Sequence, residues 1–177
     1  MNINELFLTQ TVQDHVEIKD SLLEAIAECP INTIINEPYE RITNTDWNKS
    51  LSANRPYLSL ADLVFKPHLE MLAKKFYVET VTIENFWYQQ YAPGDYHYWH
   101  LHPKTMFSSI YFLELPNNGQ TQFFLNGTKL LVNVIEGQIL TFPSFFVHCS
   151  PPNKSNQRKT VIVFNTNVDD VYENIGY

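Results

Sequence analysis

Two histidines one residue apart, His100 and His102, lie in the segment YHYWHLHPKTMFSSIYF at positions 96–112. The segment is rich in aromatic residues, which favours a β-strand, and residues i and i+2 of a strand point to the same face. The two imidazoles can therefore approach one ligand or one metal ion. His-x-His pairs also occur on ordinary polar strand faces, so a metal site needs a further ligand from elsewhere in the chain.

The candidate third ligand is His148, which follows the apolar run ILTFPSFFV. Taken alone, a histidine at this position is as readily an aromatic spacer as a ligand. Asp95 could supply a carboxylate instead, although its spacing fits no known ligand pattern. His97 faces away from His100 on a regular strand, which favours a supporting role.

A second group of polar residues opens the strand-like segment RKTVIVFN. Arg158 follows His148 by ten residues, and Thr160 shares its strand face. A guanidinium and a hydroxyl on one face can bind a carboxylate together. The alternative is an ordinary solvated arginine at the edge of a sheet.

Composition limits the classes of protein that fit. The 177 residues suit one domain, and a formal net charge of −7 argues against non-specific nucleic-acid binding. Two distant cysteines, no signal-peptide pattern and no apolar run of about 18 residues predict a cytoplasmic protein without a membrane span. His15 and His68 lie on or near predicted helices and are expected at the surface.

The periodicity predicts N-terminal helices followed by many short strands. Helical patterns begin at the capping box Ser21–Glu24 and at Ser59, where the pattern reaches residue 76. Strand-like runs separated by turn residues follow from residue 78, among them 78–91 and 107–114. This order predicts a mainly β protein, a double-stranded β-helix or jelly roll with helices packed outside. We expect one domain: support at 1–77, jelly-roll core at 78–167 and a tail at 168–177.

The spacing of these residues resembles the Fe(II)- and 2-oxoglutarate-dependent oxygenases, most closely the prolyl-4-hydroxylase-like branch with its short bacterial and phage members. That family has His-x-Asp/Glu, a distal histidine, and an arginine or lysine about ten residues later. The matching segments are YAPG (91–94) before His100, SSIYFLELP (108–116), NGQTQFF (118–124), EGQILTFPSFFVH (136–148) and QRKTVIVFN (157–165).

The resemblance implies a jelly-roll enzyme that uses Fe(II), 2-oxoglutarate and dioxygen, hydroxylates its substrate, and releases succinate and CO2. No catalytic side chain is implied beyond the metal centre. The implied metal ligands are His100, His102 and His148, and the implied co-substrate residues are Arg158, Thr160, Tyr91 and Ser108. One departure matters, because His102 stands where the family usually has a carboxylate, although some short members carry His-x-His-Pro as here.

Two other functions remain open from the sequence. A cupin-like enzyme could use three histidines without 2-oxoglutarate, and a jelly-roll binding module could use them for structure alone. The expected substrate is a small molecule or a peptide, contacted by loops at 31–57 and 92–107. If the gene belongs to a phage, the protein would act in the host cell; the oligomeric state is not indicated.

Overall fold

A computed structural model describes residues 3–116 and 119–171 of the chain. The described part is mainly β, with two antiparallel sheets and two α-helices, as predicted for a jelly roll. The helices are α1 (His15–Ala27) and α2 (Leu58–Phe76), preceded by a 3₁₀ turn at Ile3–Leu6. The strands are β1 (Leu8–Thr11), β2 (Ile34–Asn36), β3 (Glu40–Ile42), β4 (Asn44–Thr45), β5 (Val78–Tyr91), β6 (Tyr96–His100), β7 (Phe107–Glu114), β8 (Gln122–Leu125), β9 (Thr128–Leu131), β10 (Gln138–Pro143), β11 (His148–Ser150) and β12 (Lys159–Val171).

The two sheets have six strands each. The sheet with the longer strands, called the larger sheet below, has the order β1-β10-β7-β12-β5-β4. The smaller sheet has the order β2-β3-β6-β11-β8-β9. Four of these strands come from the region before residue 78, which was expected to be helical and irregular. At the other end, β12 continues to Val171, into the predicted tail, and residues 172–177 lie outside the described part.

Two hydrophobic cores share the larger sheet. The helices cover its outer face, where Leu22 and Phe65 pack with Ile162 and Phe164. Its inner face meets the smaller sheet, where Phe112, Phe123 and Phe142 pack with Val161 and Val163. Because successive residues of a strand alternate between faces, β12 is buried on both sides.

Both histidines expected at the surface are buried in this arrangement. Nδ1 of His15 lies 2.6 Å from the Tyr111 hydroxyl. His68 is bound between Gln10 at 2.5 Å and Thr141 at 2.8 Å. The helices pack on a sheet that offers polar side chains at these points, and the helical pattern alone does not reveal this.

A buried ion pair fixes the loop between β4 and α2. Nε of Arg55 donates to Asp46 at 2.7 Å, and both side chains are almost fully buried. The Asp46 carboxylate also accepts from the Tyr57 hydroxyl at 2.9 Å and from the Tyr88 amide at 3.0 Å. This network holds the next residue, Trp47, on the surface above the sheets. No described helix is long and apolar enough to cross a membrane.

Candidate metal centre

The structure brings His100, His102 and His148 together between the two sheets. One nitrogen from each ring lies within 4.8 Å of the other two. His148 is directly opposite His100 in the β11–β6 pairing, which explains how residues 48 positions apart meet. His102 follows β6 and is held by its amide, which donates to the Ser144 carbonyl at 2.9 Å.

Hydrogen bonds to the backbone orient two of these rings. Nδ1 of His100 donates to the Tyr98 carbonyl at 2.7 Å, and Nδ1 of His148 donates to the Phe146 carbonyl at 2.8 Å. A carbonyl can only accept, so each Nδ1 carries the proton and each Nε2 keeps a free lone pair. This is the tautomer in which a histidine binds a metal through Nε2.

The third ring has a side-chain partner instead. Nδ1 of His102 lies 2.9 Å from the Asn165 amide, which also contacts Asn85 at 2.8 Å and the Ser108 hydroxyl at 2.7 Å. Nδ2 of Asn165 faces this ring and donates to Nδ1, while the Asn165 oxygen accepts from Ser108. A metal on Nε2 of His102 requires the Asn165 amide to turn over, so that its oxygen accepts the Nδ1 proton and Nε2 is left free. Ser108 thus supports His102 through Asn165 and does not line the cavity.

The surroundings keep these histidines neutral. Burial, and then the charge of His100, lower the pKa of His102 to about 4. Burial also lowers the pKa of His100 and of His148, and the neighbouring imidazoles lower that of His148 further. Neutral imidazoles are the ligand form, so the site has the protonation state that a metal requires.

A fourth histidine lies against the cluster. The rings of His97 and His100 are stacked with centroids 3.8 Å apart, contrary to the prediction that they face opposite ways. The pairing of β6 with β11 explains the difference, because His148 is opposite His100 while Ser150 is opposite His97. His97 and His100 are three residues apart on β6, whereas their partners Ser150 and His148 are two residues apart on β11. β6 therefore contains one extra residue, a β-bulge, which places His97 on the same face as His100.

A narrow cavity of about 30 Å³ leads inward from the histidines, with room for little more than one water. Lys159 reaches it from β12 and is only 2% exposed. Its Nζ donates to the Ser150 hydroxyl at 2.9 Å and lies 5.2 Å from the centre of the Tyr91 ring. Burial lowers the pKa of Lys159 to about 7. In the described part of the chain this ammonium has no carboxylate partner.

Arg158 and Thr160 lie on the opposite face of β12, away from this cavity. Arg158 is 46% exposed and forms two hydrogen bonds with Glu114, at 2.8 and 3.0 Å. Thr160 donates to the same carboxylate. The two residues do share a face and do bind a carboxylate, but that carboxylate belongs to Glu114. The residue between them, Lys159, is the one beside the histidines.

Tyr91 and Asp95 complete the predicted set. Tyr91 lines the cavity and donates to Gln89 at 2.8 Å. The Asp95 carboxylate is held by the Thr43 hydroxyl, by the Ala92 amide at 3.0 Å and by Arg41 at 3.2 Å. These contacts fix Asp95 in the turn before β6, and Asp95 is not part of the histidine cluster.

A wider cleft of about 440 Å³ opens outward from the same histidines. Its walls come from both regions predicted to contact substrate, with Glu40 and Trp47 from the first and Leu101 and Pro103 from the second. Trp87 forms its floor, stacked on His102 with ring centroids 5.5 Å apart and 17° between planes. The centre therefore has a narrow inner side and an open outer side.

Comparison with solved structures relates this architecture to known proteins. A prolyl-4-hydroxylase from Pseudomonas putida is 18% identical with a TM-score of 0.62, over 93% of this chain and 96% of that chain. A viral collagen prolyl hydroxylase from Paramecium bursaria Chlorella virus-1, solved with 2-oxoglutarate, is 17% identical with a TM-score of 0.67, over 94% and 98%. A 2OG-Fe(II) oxygenase family oxidoreductase from Burkholderia pseudomallei is 12% identical with a TM-score of 0.71, over 94% and 87%.

The structural similarity establishes the fold: the chain has the jelly roll of the 2OG-Fe(II) oxygenases, and the matches cover 93–94% of it. No protein-family model matches the sequence, and no curated protein matches it significantly. The class that fold and site define together is a jelly-roll protein with a three-histidine centre.

Proposed function

We propose that the protein is an Fe(II)- and 2-oxoglutarate-dependent oxygenase that hydroxylates a substrate bound in the outer cleft. The observation that carries the proposal is the position of Lys159 in the same cavity as three neutral histidines, its buried ammonium having no carboxylate partner among the described residues. The matched structures support it, because they include oxygenases of this class and one complex with 2-oxoglutarate.

His100, His102 and His148 would hold the iron through Nε2. Three neutral ligands leave more positive charge on the ion than two histidines and a carboxylate, and suit a bound anion. Iron with 2-oxoglutarate and dioxygen supplies the oxidising chemistry and releases succinate and CO2. The chain itself orients the co-substrate, keeps water out of the inner cavity, and presents the substrate from the cleft.

Lys159 would bind the distal carboxylate of 2-oxoglutarate. A buried lysine that lacks a counter-charge is destabilising until an anion arrives, and the arriving carboxylate gains a charge-assisted hydrogen bond. The cavity is smaller than the co-substrate, so the Lys159–Ser150 contact must open on binding. Tyr91, beside Lys159, would form the apolar wall for the carbon chain.

The test is anaerobic calorimetric titration of 2-oxoglutarate into the Fe(II)-loaded protein, followed by succinate measurement in air. Replacing Lys159 by Met removes one partner of a buried charge pair, so the dissociation constant should rise roughly 30-fold or more. Arg158→Met is the matched control and should change it less than about threefold, since its partner is Glu114. The proposal fails if the wild type forms no succinate under any iron condition, or if the two variants behave the other way round.

The ligand role of His102 has its own test. His102→Asp restores the usual ligand set, and we expect it to retain iron and succinate formation. His102→Ala leaves two ligands and should weaken metal binding by more than about tenfold. Iron content of protein prepared anaerobically checks both. Retention of full iron by His102→Ala would exclude His102 as a ligand.

The same experiments separate the alternatives raised by the sequence. A three-histidine enzyme of another type would bind iron but show no effect of 2-oxoglutarate and none of Lys159→Met. A binding module would hold no stoichiometric iron, and His100→Ala and His148→Ala would leave its metal content unchanged.

A further inference from the structure

We propose that the outer cleft binds its substrate through a cationic group, a guanidinium or an ammonium, held by Glu40 and the Trp47 ring. Calling this ligand the substrate rests on the proposed function. The binding itself does not, because it depends only on the walls of the cleft.

The charge of the cleft favours a cationic ligand. Glu40 is the only acidic residue among its walls, and the other polar side chains there are amides and imidazoles. The Glu40 side chain is 22% exposed, and it contacts Nε2 of His97 at 3.4 Å. Within residues 3–116 and 119–171, Glu40 has no ion pair with a lysine or arginine. A half-buried carboxylate without a fixed cation favours a ligand that brings one.

The aromatic surface of the cleft also favours a cationic ligand. Trp47 is 55% exposed although the residue before it, Asp46, is locked in a buried network. An exposed indole offers the ring face on which a cation binds best. Leu101 and Pro103 add apolar surface on the same cleft, which suits an aliphatic stem attached to the charged group.

Glu40 also lies near the candidate metal ligands, which would bring a bound cation close to the centre. His97 contacts Glu40 through its edge and His100 through its face. One imidazole therefore separates the cation site from the candidate metal ligands. A basic amino-acid side chain or a small amine would bind Glu40 through its charged group. Carbon atoms several bonds from that charge would then face the candidate metal centre.

Matched pairs of probes test this proposal without turnover. The probes are N-acetyl-arginine methylamide with its uncharged analogue N-acetyl-citrulline methylamide, and N-acetyl-lysine methylamide with its Nε-acetylated analogue. Saturation-transfer NMR on the full chain, without oxygen or 2-oxoglutarate, measures binding. The variants are Glu40→Gln and the control Glu70→Gln, which makes the same charge change at an exposed position of α2.

We expect the wild type and Glu70→Gln to bind one or both cationic probes roughly tenfold more tightly than the uncharged analogues. In Glu40→Gln the preference should fall below about twofold. Equal binding within each pair, no binding of either cation, or a preference that survives Glu40→Gln would overturn the proposal. A neutral substrate such as a saccharide would give the first result. None of these outcomes depends on iron or succinate, so failure here is distinct from failure of the proposed function.

Discussion

At the scale of single residues, the centre depends on which of two adjacent basic side chains faces inward. Arg158 is exposed and paired with Glu114, whereas Lys159 is buried without a carboxylate. The lysine can lose its proton when buried, and an arginine cannot. If Lys159 binds the co-substrate as proposed, binding should therefore depend on pH in a way that an arginine would not produce.

The first prediction concerns this pH dependence. The pKa of Lys159 is lowered to about 7, so the ammonium proposed to bind the carboxylate is present below pH 7 and is lost above it. The association constant for 2-oxoglutarate should fall by up to roughly tenfold per pH unit above that value. Lys159→Arg should abolish this fall, because guanidinium stays charged. Calorimetric titration across the range measures it, and identical profiles for the two proteins would contradict the assignment.

The second prediction concerns stability. In the unfolded chain Lys159 keeps its proton up to its usual pKa of about 10.4, and in the folded protein it loses it near 7. The unfolded state therefore binds more protons between these values, and the stability contributed by this group rises with pH there. Lys159→Met should raise the unfolding free energy at neutral pH by about 1–2 kcal/mol. Urea unfolding measures it; a variant less stable than the wild type would show that the ammonium has a stabilising partner.

The sequence predicted the alternation of β12 but could not predict which set of side chains faces inward. Arg158 and Thr160 share one face, as expected, and Lys159 shares the other with Val161 and Val163. Both faces of β12 are covered, one by helices and one by the second sheet, so the hydrophobic pattern does not distinguish them. The sequence places Lys159 in the same alternating set as Val161 and Val163, but it does not show that this set faces the second sheet.

At the scale of elements, long strands were predicted well and irregular ones were not. The bounds of β5 and β7 agree with the prediction, because aromatic and β-branched residues run between clear turn signals. The three residues of β11 gave no such signal, and the bulge in β6 has no sequence marker. His97 was assigned to the wrong face for that reason. Pro67 lies inside α2, which continues through it as one element.

The third prediction compares two glycine turns. Gly94 and Gly137 both have a positive φ, of +86° and +84°. A Cβ on Gly94 would meet nothing within 4 Å, whereas one on Gly137 would lie 2.9 Å from the His15 ring. Alanine should cost about 1–2 kcal/mol of unfolding free energy at Gly94 through its backbone alone.

At Gly137 the same change should cost about 1–3 kcal/mol more, because His15 is fixed by Tyr111 and cannot move aside. Urea unfolding of both variants tests the difference. Equal losses would mean that the helix carrying His15 moves away at little cost.

At the scale of the whole molecule, the centre joins parts of the chain that are far apart. The histidines come from β6, the loop after it and β11, Lys159 comes from β12, and the cleft wall includes the N-terminal strand β3. The jelly roll could be predicted because regularly spaced strands leave few other architectures. The contribution of residues 31–57 to both sheets could not, since very short strands form only where a sheet edge accepts them.

The fourth prediction follows from this assembly. A ligand that binds only the folded protein raises the unfolding free energy, by about 2.7 kcal/mol at a hundredfold excess over the dissociation constant, and so raises the unfolding temperature. A chain of this length should gain roughly 5–10 °C from each ligand at that excess. In Lys159→Met the gain from metal should persist, while that from 2-oxoglutarate at the same concentration falls to about a third or less. His148→Ala should lose both. Thermal unfolding without oxygen tests this; a 2-oxoglutarate gain without metal would place its site elsewhere.

The contact between Trp87 and His102 should make the fluorescence of Trp87 sensitive to a metal ion bound at His102. The indole lies parallel to a candidate ligand, and its buried nitrogen has no hydrogen-bond partner in the described part of the chain. A paramagnetic ion such as Co(II) on His102 should quench the fluorescence of Trp87. With Trp47 and Trp99 replaced by Phe, emission from this one indole would report occupancy of the centre in real time, without any added dye.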